Sequence, residues 1–203
     1  NYSSSKACAE LIFTSYLNSY NSKLNYLNMV SARAGNVIGG GDAKYFRLVP
    51  DLVKSILKKK TIQIRNPNST RPWQHVLEPL SGYLLLGEKV LNKKLKSNIY
   101  PSWNFGPEKK NCKPVKLLVQ RFLDEWDIKK KIKLIKNNEI YESNLLSLEI
   151  KKALKELNWR PKLSFNQTIK MTVDWYKTVS KKEKVDMQKY TENQIDFYLE
   201  KKK

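Results

Sequence analysis

The sequence predicts an α/β fold in which short strands alternate with helices. Segments with strand composition, such as 26–33 and 61–65, are followed by segments whose apolar residues recur at helical spacing. Turn residues separate the two kinds of segment, as Gly106 and Pro107 do after the strand that ends at Phe105. This alternation is typical of folds in which helices cover a sheet, so we expect a layered α/β architecture.

The individual elements follow from local patterns. The helix at 4–20 carries apolar or small residues along two stripes, which predicts burial on two faces. Pro114 suits the first turn of a helix, because an amide donor at that position has no partner within the helix. The other predicted elements are helices at 48–58, 78–91, 147–157 and 165–179, strands at 103–105 and 131–135, and a Gly-rich turn at 35–42.

Composition limits the class of protein. The 203 residues include 40% apolar residues and five Trp, which is enough for a globular core. Cys8 and Cys112 lie far apart without CxxC spacing, so we expect neither a disulfide framework nor a metal site, and a reducing cytoplasm suits the chain. No apolar run is long enough to span a membrane and no leader-like segment precedes the first motif, so we predict a soluble protein with no membrane partner.

The formal net charge of +20 raises the question of a nucleic-acid partner. The lysines are scattered over nearly every surface segment, and no zinc-finger spacing, RNA-binding aromatic motif or confined basic stripe accompanies them. We interpret the charge as a compositional bias toward Lys and predict no nucleic-acid partner.

Tyr2 and Lys6 are four residues apart at the start of the first helix, which places both side chains on one face. An ammonium group near a phenol stabilises the phenolate, so such a pair can supply a base near neutral pH. A Tyr and a Lys at this spacing also occur by chance in a Lys-rich chain. The catalytic interpretation of Tyr2 and Lys6 therefore depends on the segments that follow them.

Three later segments place polar side chains at strand ends or in loops. Asn36 lies in RAGNVIGGGD, Arg71 in RNPNSTRPWQHV and Asn104 in SWNFGP. The planar guanidinium of an Arg suits paired phosphate oxygens, whereas the plain alternatives are a turn-capping Asn and a surface salt bridge. Arg47 and Arg65 are either further phosphate or nucleotide contacts or solvated side chains.

His75 is the single histidine and falls on a predicted short strand. A lone histidine in such a position is more often a hydrogen-bonded structural residue than a ligand or a base, so we predict a structural role. Trp73, two residues earlier, is either a core residue or a wall of a ligand pocket.

The segments YSSSKACAE, RAGNVIGGGD and 65–86 resemble the extended short-chain dehydrogenases that act on sugar nucleotides, and 65–86 is most similar to the CDP-glucose 4,6-dehydratase branch. The resemblance implies the C-terminal part of a Rossmann-like fold with a small α/β substrate-binding domain. It assigns 1–38 to the end of the dinucleotide-binding domain. It assigns 39–180 mainly to substrate binding, with returning Rossmann elements, and 181–203 to a Lys-rich tail that is helical in part.

The resemblance also implies a role for each motif residue. Tyr2 would be the catalytic acid/base, Lys6 would hold the nicotinamide ribose of NAD, and Arg33 would lie at the strand end beside the nicotinamide. The implied substrate-binding residues are Asn36, Arg71 and Asn104, with Asn36 and Arg71 at the diphosphate. Arg47 and Arg65 are further candidates for substrate binding through the phosphates or the nucleotide.

The implied reaction converts CDP-glucose to CDP-4-keto-6-deoxyglucose by hydride transfer to NAD, loss of water and return of the hydride, for deoxysugars of surface polysaccharides. An epimerase, a dehydratase acting on another nucleotide and a non-catalytic nucleotide-sugar-binding module remain alternatives. The resemblance further implies a homodimer through the helix at 4–20. The sequence contains no GxxGxxG turn, and the family's other acid/base groups lie upstream of YxxxK, so we expect a C-terminal piece that is inactive alone.

Overall fold

The computed structural model describes residues 2–20, 29–95, 101–129, 132–134, 144–181 and 184–201. Within these residues strands and helices alternate along the chain, and the predicted α/β fold class is confirmed. The beginning of the predicted strand at 26–33 lies outside the described residues, and its end forms β1 (Ser31–Ala34).

The helices of the described residues are α1 (Tyr2–Tyr20), α2 (Leu48–Leu57), α3 (Leu77–Leu91), α4 (Val115–Trp126), α5 (Lys151–Leu157), α6 (Phe165–Val179) and α7 (Met187–Glu200). A capping box fixes the start of α6, where Ser164 and Gln167 each accept a hydrogen bond from the backbone amide of the other. The predicted helix at 147–157 begins later, at Lys151, because the Glu149 carboxylate accepts the first amide hydrogen bond there. Among the described helices, none combines the length and the apolar character that crossing a membrane requires.

The first two strands form parallel pairs with strands that come later in the chain. β1 pairs with β6 (Ser102–Phe105), and β2 (Asn36–Ile38) pairs with β5 (Trp73–His75). Gly35 separates β1 from β2, and a Cβ atom there would lie 2.8 Å from both the ring and the carbonyl oxygen of Pro72. Because glycine has no side chain, Gly35 can lie against Pro72 at the point where the chain leaves its pairing with β6 and begins to pair with β5.

The predicted turn at 35–42 needs a correction, because residues 36–38 within it form the strand β2. Ladder hydrogen bonds to β5 hold β2 extended as far as Ile38, and the turn is formed by Gly40 and Gly41. The remaining strands are β3 (Ile62–Ile64) with β8 (Ile132–Leu134) in parallel, and β4 (Thr70–Arg71) with β7 (Lys113–Pro114) in antiparallel arrangement.

The largest core lies where α2, α4 and α6 pack against β3 and β5, and Leu52, Phe122 and Ile169 are almost fully buried there. A second core surrounds β6, where the rings of Phe105 and Trp159 meet edge to face with centroids 5.0 Å apart. The two cores fix the strands whose ends carry the predicted functional residues.

A buried carboxylate attaches the C-terminal helix to the rest of the fold. Glu78, in the first turn of α3, is 1% exposed and accepts hydrogen bonds from the amides of Lys162 (2.8 Å) and Leu163 (2.6 Å) and from the Tyr198 hydroxyl (2.9 Å). Burial raises the pKa of Glu78, and the three hydrogen bonds oppose that rise. Because Tyr198 belongs to α7, the tail predicted at 181–203 includes a helix that docks through a buried side chain.

Candidate functional site

A cavity of about 1200 Å³ is lined by α1, β2, α2, β3 and the loops between them. Its lining includes more than half of the residues that were predicted from the sequence to take part in catalysis and substrate binding. These are Tyr2, Asn36, Arg47, Arg65 and Arg71. Side chains separated by up to 69 positions in the chain therefore face one space.

β2 and β5 build the inner wall of the cavity. Asn36 is the first residue of β2 and lies opposite Trp73 in the parallel register, so both side chains point to the same face. Trp73 is 6% exposed and donates its indole N–H to the Lys113 carbonyl oxygen at 3.0 Å. Trp73 is thus a core residue, as one of its two interpretations had it, and it also lines the cavity, while its role as the wall of a ligand pocket stays a prediction.

Three arginines reach the cavity from different elements. Arg71 lies on β4, which β7 holds in place, and its Nη1 donates to the Thr70 carbonyl oxygen at 3.0 Å. Arg65 directly follows β3 and is exposed. Arg47 precedes the first turn of α2, and its Nη1 lies 3.0 Å from Oδ2 of Asp42.

The Gly-rich turn is held in place by aromatic side chains of α6. A Cβ atom on Gly40 would lie 2.1 Å from the Trp175 indole, so that ring occupies the space that any other side chain would need. The Tyr176 hydroxyl donates to the Asp42 carbonyl oxygen at 2.7 Å, and burial raises the pKa of Tyr176 to about 12, so the hydroxyl keeps its proton. The glycines therefore have a packing role here.

Tyr2 and Lys6 both lie at the exposed start of α1. The Lys6 ammonium is 5.7 Å from the centroid of the Tyr2 ring, as the four-residue spacing predicts. Tyr2 is 76% exposed and borders the cavity. The phenol and the ammonium are thus available side by side to a bound molecule.

Lys6, Arg33 and Asn104 are not among the described residues that line the cavity. Arg33 and Asn104 are direct neighbours in the β1–β6 register. The Arg33 guanidinium binds the Glu10 carboxylate, and Nδ2 of Asn104 donates to the Glu149 carbonyl oxygen at 3.1 Å. Their predicted contacts with cofactor and substrate remain predictions.

Sequence reasoning missed three further cations at the cavity, Lys54, Lys58 and Lys60. Lys54 lies on α2 and Lys58 caps its C-terminal end one turn later, on the side opposite the buried stripe, so their spacing was a usable signal. Within the described lining, these lysines and the three arginines outnumber the carboxylates of Asp42 and Asp51. The cavity is therefore positively charged and suited to a phosphorylated ligand.

His75 is buried, with 2% of its surface exposed, and lies on β5 outside the described cavity lining. Its Nδ1 accepts a hydrogen bond from the Leu77 amide at 3.4 Å, and burial lowers its pKa to about 4. A neutral, buried imidazole that holds the turn before α3 supports the predicted structural role.

This burial predicts a pH-dependent stability. The unfolded chain protonates His75 near its ordinary pKa of 6.5, whereas the folded chain does so only near 4, so stability falls as the pH drops through that window. We expect the loss to reach about 3 kcal/mol near pH 4, at 1.36 kcal/mol per pKa unit. Urea unfolding of the full-length protein at several pH values should show that the free energy of unfolding falls less steeply with decreasing pH in His75→Gln than in the wild type. The same pH dependence in both proteins would contradict this explanation.

The family model of GDP-mannose 4,6 dehydratase matches residues 1–172. The chain is 37% identical over 202 residues to the CDP-glucose 4,6-dehydratase of Salmonella typhimurium, covering 98% of this chain and 55% of that protein. It thus spans about half the length of this curated relative.

Solved structures agree with this match. The dTDP-glucose 4,6-dehydratase of Bacillus anthracis, in complex with NAD, superimposes with a TM-score of 0.71 and 26% identity over 87% of this chain and 52% of that one. The UDP-glucuronic acid 4-epimerase of Bacillus cereus superimposes with a TM-score of 0.69 over 84% of this chain and 50% of that one. Its sequence identity of 17% shows a shared fold alone. With its Rossmann-like dehydratase and epimerase fold, the chain belongs to the GDP-mannose 4,6-dehydratase family.

Proposed function

We propose that the whole protein is an NAD-dependent sugar-nucleotide dehydratase that converts CDP-glucose to CDP-4-keto-6-deoxyglucose. The observation that carries this proposal is the single cavity onto which Tyr2, Asn36 and Arg71 converge. The 37% identity to a CDP-glucose 4,6-dehydratase supports the choice of substrate. Because the chain spans 55% of that relative, we propose that it is inactive alone.

The phenol of Tyr2 and the ammonium of Lys6 share one face of α1, which fits a nicotinamide and its ribose lying beside them. When bound, NAD would accept hydride from carbon 4 of the sugar and return it to carbon 6. Tyr2 would take the proton of the carbon 4 hydroxyl, and Lys6 would stabilise the phenolate and hold the ribose. We propose that the groups that remove the carbon 5 proton and release water lie outside residues 1–203.

The positive lining of the cavity supports binding of the substrate's diphosphate. We propose that Arg71 and Asn36 contact its oxygens, that Arg47 and Arg65 contact the nucleotide, and that Asn104 and Arg33 lie near the substrate and the nicotinamide. A guanidinium can donate two parallel hydrogen bonds to phosphate oxygens, which fixes the nucleotide while the sugar reaches Tyr2. In domain terms, 1–38 would complete the dinucleotide-binding domain and 39–180 would supply most of the substrate site.

We also propose a cytoplasmic homodimer that pairs through α1. Ile12, Tyr16 and Tyr20 on this helix are each more than half exposed, which suits a helix that packs on a second copy. Leu17 is only 6% exposed and belongs to the face turned toward the rest of the chain. The free thiols of Cys8 and Cys112 are consistent with a reducing compartment.

The proposed function is tested by a product assay on the full-length protein. With CDP-glucose, we expect a 4-keto-6-deoxy sugar nucleotide, detected by mass spectrometry as the loss of one water. Exclusive formation of CDP-galactose would instead show an epimerase, and faster turnover of dTDP-, UDP- or GDP-glucose would show a different nucleotide preference. Binding of CDP-glucose without any product would show a non-catalytic module.

Arg71→Ala in the full-length protein should weaken CDP-glucose binding by roughly 1.5 to 3 kcal/mol, the usual contribution of a hydrogen bond to a charged group. Arg71→Lys should restore part of this, because a point charge cannot form the paired geometry. Titration calorimetry measures both. Arg121→Ala, on the exposed side of α4, is the matched control and should bind normally. Equal affinities for Arg71→Ala and Arg121→Ala would contradict the diphosphate role.

A further inference from the structure

The carboxylate of Glu10, in the middle of α1, binds two residues of β1. Nε of Arg33 donates to Oε1 at 2.7 Å, and Nη2 donates to Oε2 at 2.5 Å, so the guanidinium and the carboxylate meet in the paired, planar arrangement. The Ser31 hydroxyl adds a third hydrogen bond to Oε1 at 3.0 Å. The hydrogen bond from Arg33 lowers the pKa of Glu10 and the same bond raises the pKa of Arg33, so both stay charged around neutral pH.

Glu10 lies on the same side of α1 as the proposed catalytic pair. Tyr2, Lys6 and Glu10 follow one another at four-residue intervals, which places them along one face of the helix. At 1.5 Å per residue, Tyr2 is roughly 12 Å from Glu10 along the helix axis. Any rotation or sliding of α1 at Glu10 is therefore passed directly to the Tyr2 phenol.

Apolar packing fixes α1 only weakly within the described chain. Leu17 is the one buried residue among the described positions of the helix, and it lies beyond Glu10 on the side away from Tyr2. The half of α1 that carries Tyr2 and Lys6 thus depends on a polar contact for its orientation. Among the hydrogen bonds of the described residues, those of Glu10 link this half to a strand.

The strand that Glu10 binds also leads into the cavity. Arg33 is two residues before Gly35, where the chain changes partner, and three residues before Asn36 on the cavity wall. The pair consequently connects the helix that carries Tyr2 to the strand that carries Asn36. The substrate is proposed to be held at its diphosphate and to react at its sugar. Such a reaction requires a fixed distance between Asn36, at the diphosphate, and Tyr2, at the sugar.

We propose that the ion pair of Glu10 and Arg33, together with the hydrogen bond from Ser31, positions the catalytic helix α1. The pair fixes the position of α1 along its axis and its rotation about that axis, and so the place of the Tyr2 hydroxyl relative to the substrate. This inference rests on the proposed function, because it assigns a role relative to Tyr2 chemistry. Glu10 is a positioning residue that acts through the helix, and Arg33, which we also place near the nicotinamide, takes part by holding the Glu10 carboxylate. Because both are partly exposed, their effect on overall stability is small, whereas a misplacement of about 1 Å at Tyr2 can lower the rate by roughly 100-fold.

The test uses Glu10→Gln, Arg33→Met and the double variant in the full-length protein. Each single variant should lower kcat for CDP-glucose by about 10- to 100-fold while KM changes by less than about threefold. The double variant should be no slower than the worse single one, because the two residues act as a unit. Arg33→Lys should recover part of the rate, since it retains the charge without the paired geometry.

Glu108→Gln is the matched control. Glu108 also forms an exposed carboxylate ion pair, with Lys110 at 2.6 Å, and it lies outside the described cavity lining, so its loss should leave kcat unchanged. Circular dichroism and the melting temperature confirm that all variants are folded.

A second measurement does not depend on turnover. Hydrogen exchange of peptides covering 2–20, followed by mass spectrometry, should be about 10-fold faster in Glu10→Gln and Arg33→Met and unchanged in Glu108→Gln. If the wild-type protein forms no product from CDP-glucose, the proposed function fails, and the exchange rates still report whether the pair holds α1.

Three results would overturn the positioning role. One is a normal kcat for Glu10→Gln, and another is unchanged exchange of α1 in both single variants. The third is a loss of NAD affinity in Arg33→Met with normal affinity in Glu10→Gln, which would make Arg33 a cofactor contact that acts without Glu10.

Discussion

Replacing Tyr2 by Phe in the full-length protein is expected to lower kcat for CDP-glucose by about 100- to 10,000-fold, the usual contribution of a positioned proton-transfer group. The substitution removes the hydroxyl and keeps the ring, so the cavity wall retains its shape. Substrate affinity should therefore change little, and the loss should appear in kcat with KM nearly constant. Steady-state kinetics, with calorimetry for the affinity, measure both quantities.

Tyr16→Phe is the control for Tyr2→Phe, because it makes the same chemical change on the same helix. Tyr16 is exposed and its ring packs on Tyr20, a contact that Phe retains. Its turnover should match the wild type. A Tyr2→Phe enzyme with near-normal turnover would refute the catalytic assignment, whatever the effect of Arg71→Ala on binding.

Replacing Glu78 by Ala is expected to lower the free energy of unfolding by about 2 to 6 kcal/mol, because each of two buried donors left without an acceptor costs about 1 to 3 kcal/mol. Two backbone amides after α5 lose their acceptor at once, whereas the Tyr198 hydroxyl loses its bond to Glu78 but keeps a partner in the Ser81 hydroxyl at 2.8 Å. The loss should include release of α7, seen as faster hydrogen exchange over 187–200. Urea unfolding of the full-length protein measures the energy.

Glu88→Ala is the matched control, since Glu88 lies on the same helix with an exposed side chain. A surface substitution of this kind should change stability by no more than about 0.5 kcal/mol. If the two alanine variants unfold at the same urea concentration, the buried carboxylate does not hold the C-terminal helix.

Local patterns were sufficient for most of the helices. In α2 the buried positions recur at helical spacing, and in α6 a capping box marks the first residue, so both boundaries could be predicted closely. The segment at 36–38 was predicted as a turn because of the glycines that surround it. Its pairing with β5 joins residues 37 positions apart, as in Asn36 with Trp73, and a local pattern carries no information about such a partner.

The residues of the candidate site likewise include some that the sequence could predict and one that it could not. Tyr2, Asn36 and Arg71 were predicted as site residues because their motifs resemble those of a known family, and a phenol, an amide and a guanidinium suit proton transfer and phosphate binding. Glu10 was not nominated, since an isolated Glu on a helix carries no distinctive signal. Its importance depends on the strand opposite it, which only the folded chain supplies.

By itself, the sequence determined the α/β class, the family motifs and the chemical types of the site residues, because these depend on short spacings along the chain. Tertiary structure alone decided which of these residues share a cavity, and it turned Arg33 toward Glu10. It also made the Lys-rich tail a docked helix through the bond from Tyr198 to Glu78, 120 positions apart. The physical reason is burial, because desolvation and hydrogen-bond geometry depend on the groups that surround a side chain in space.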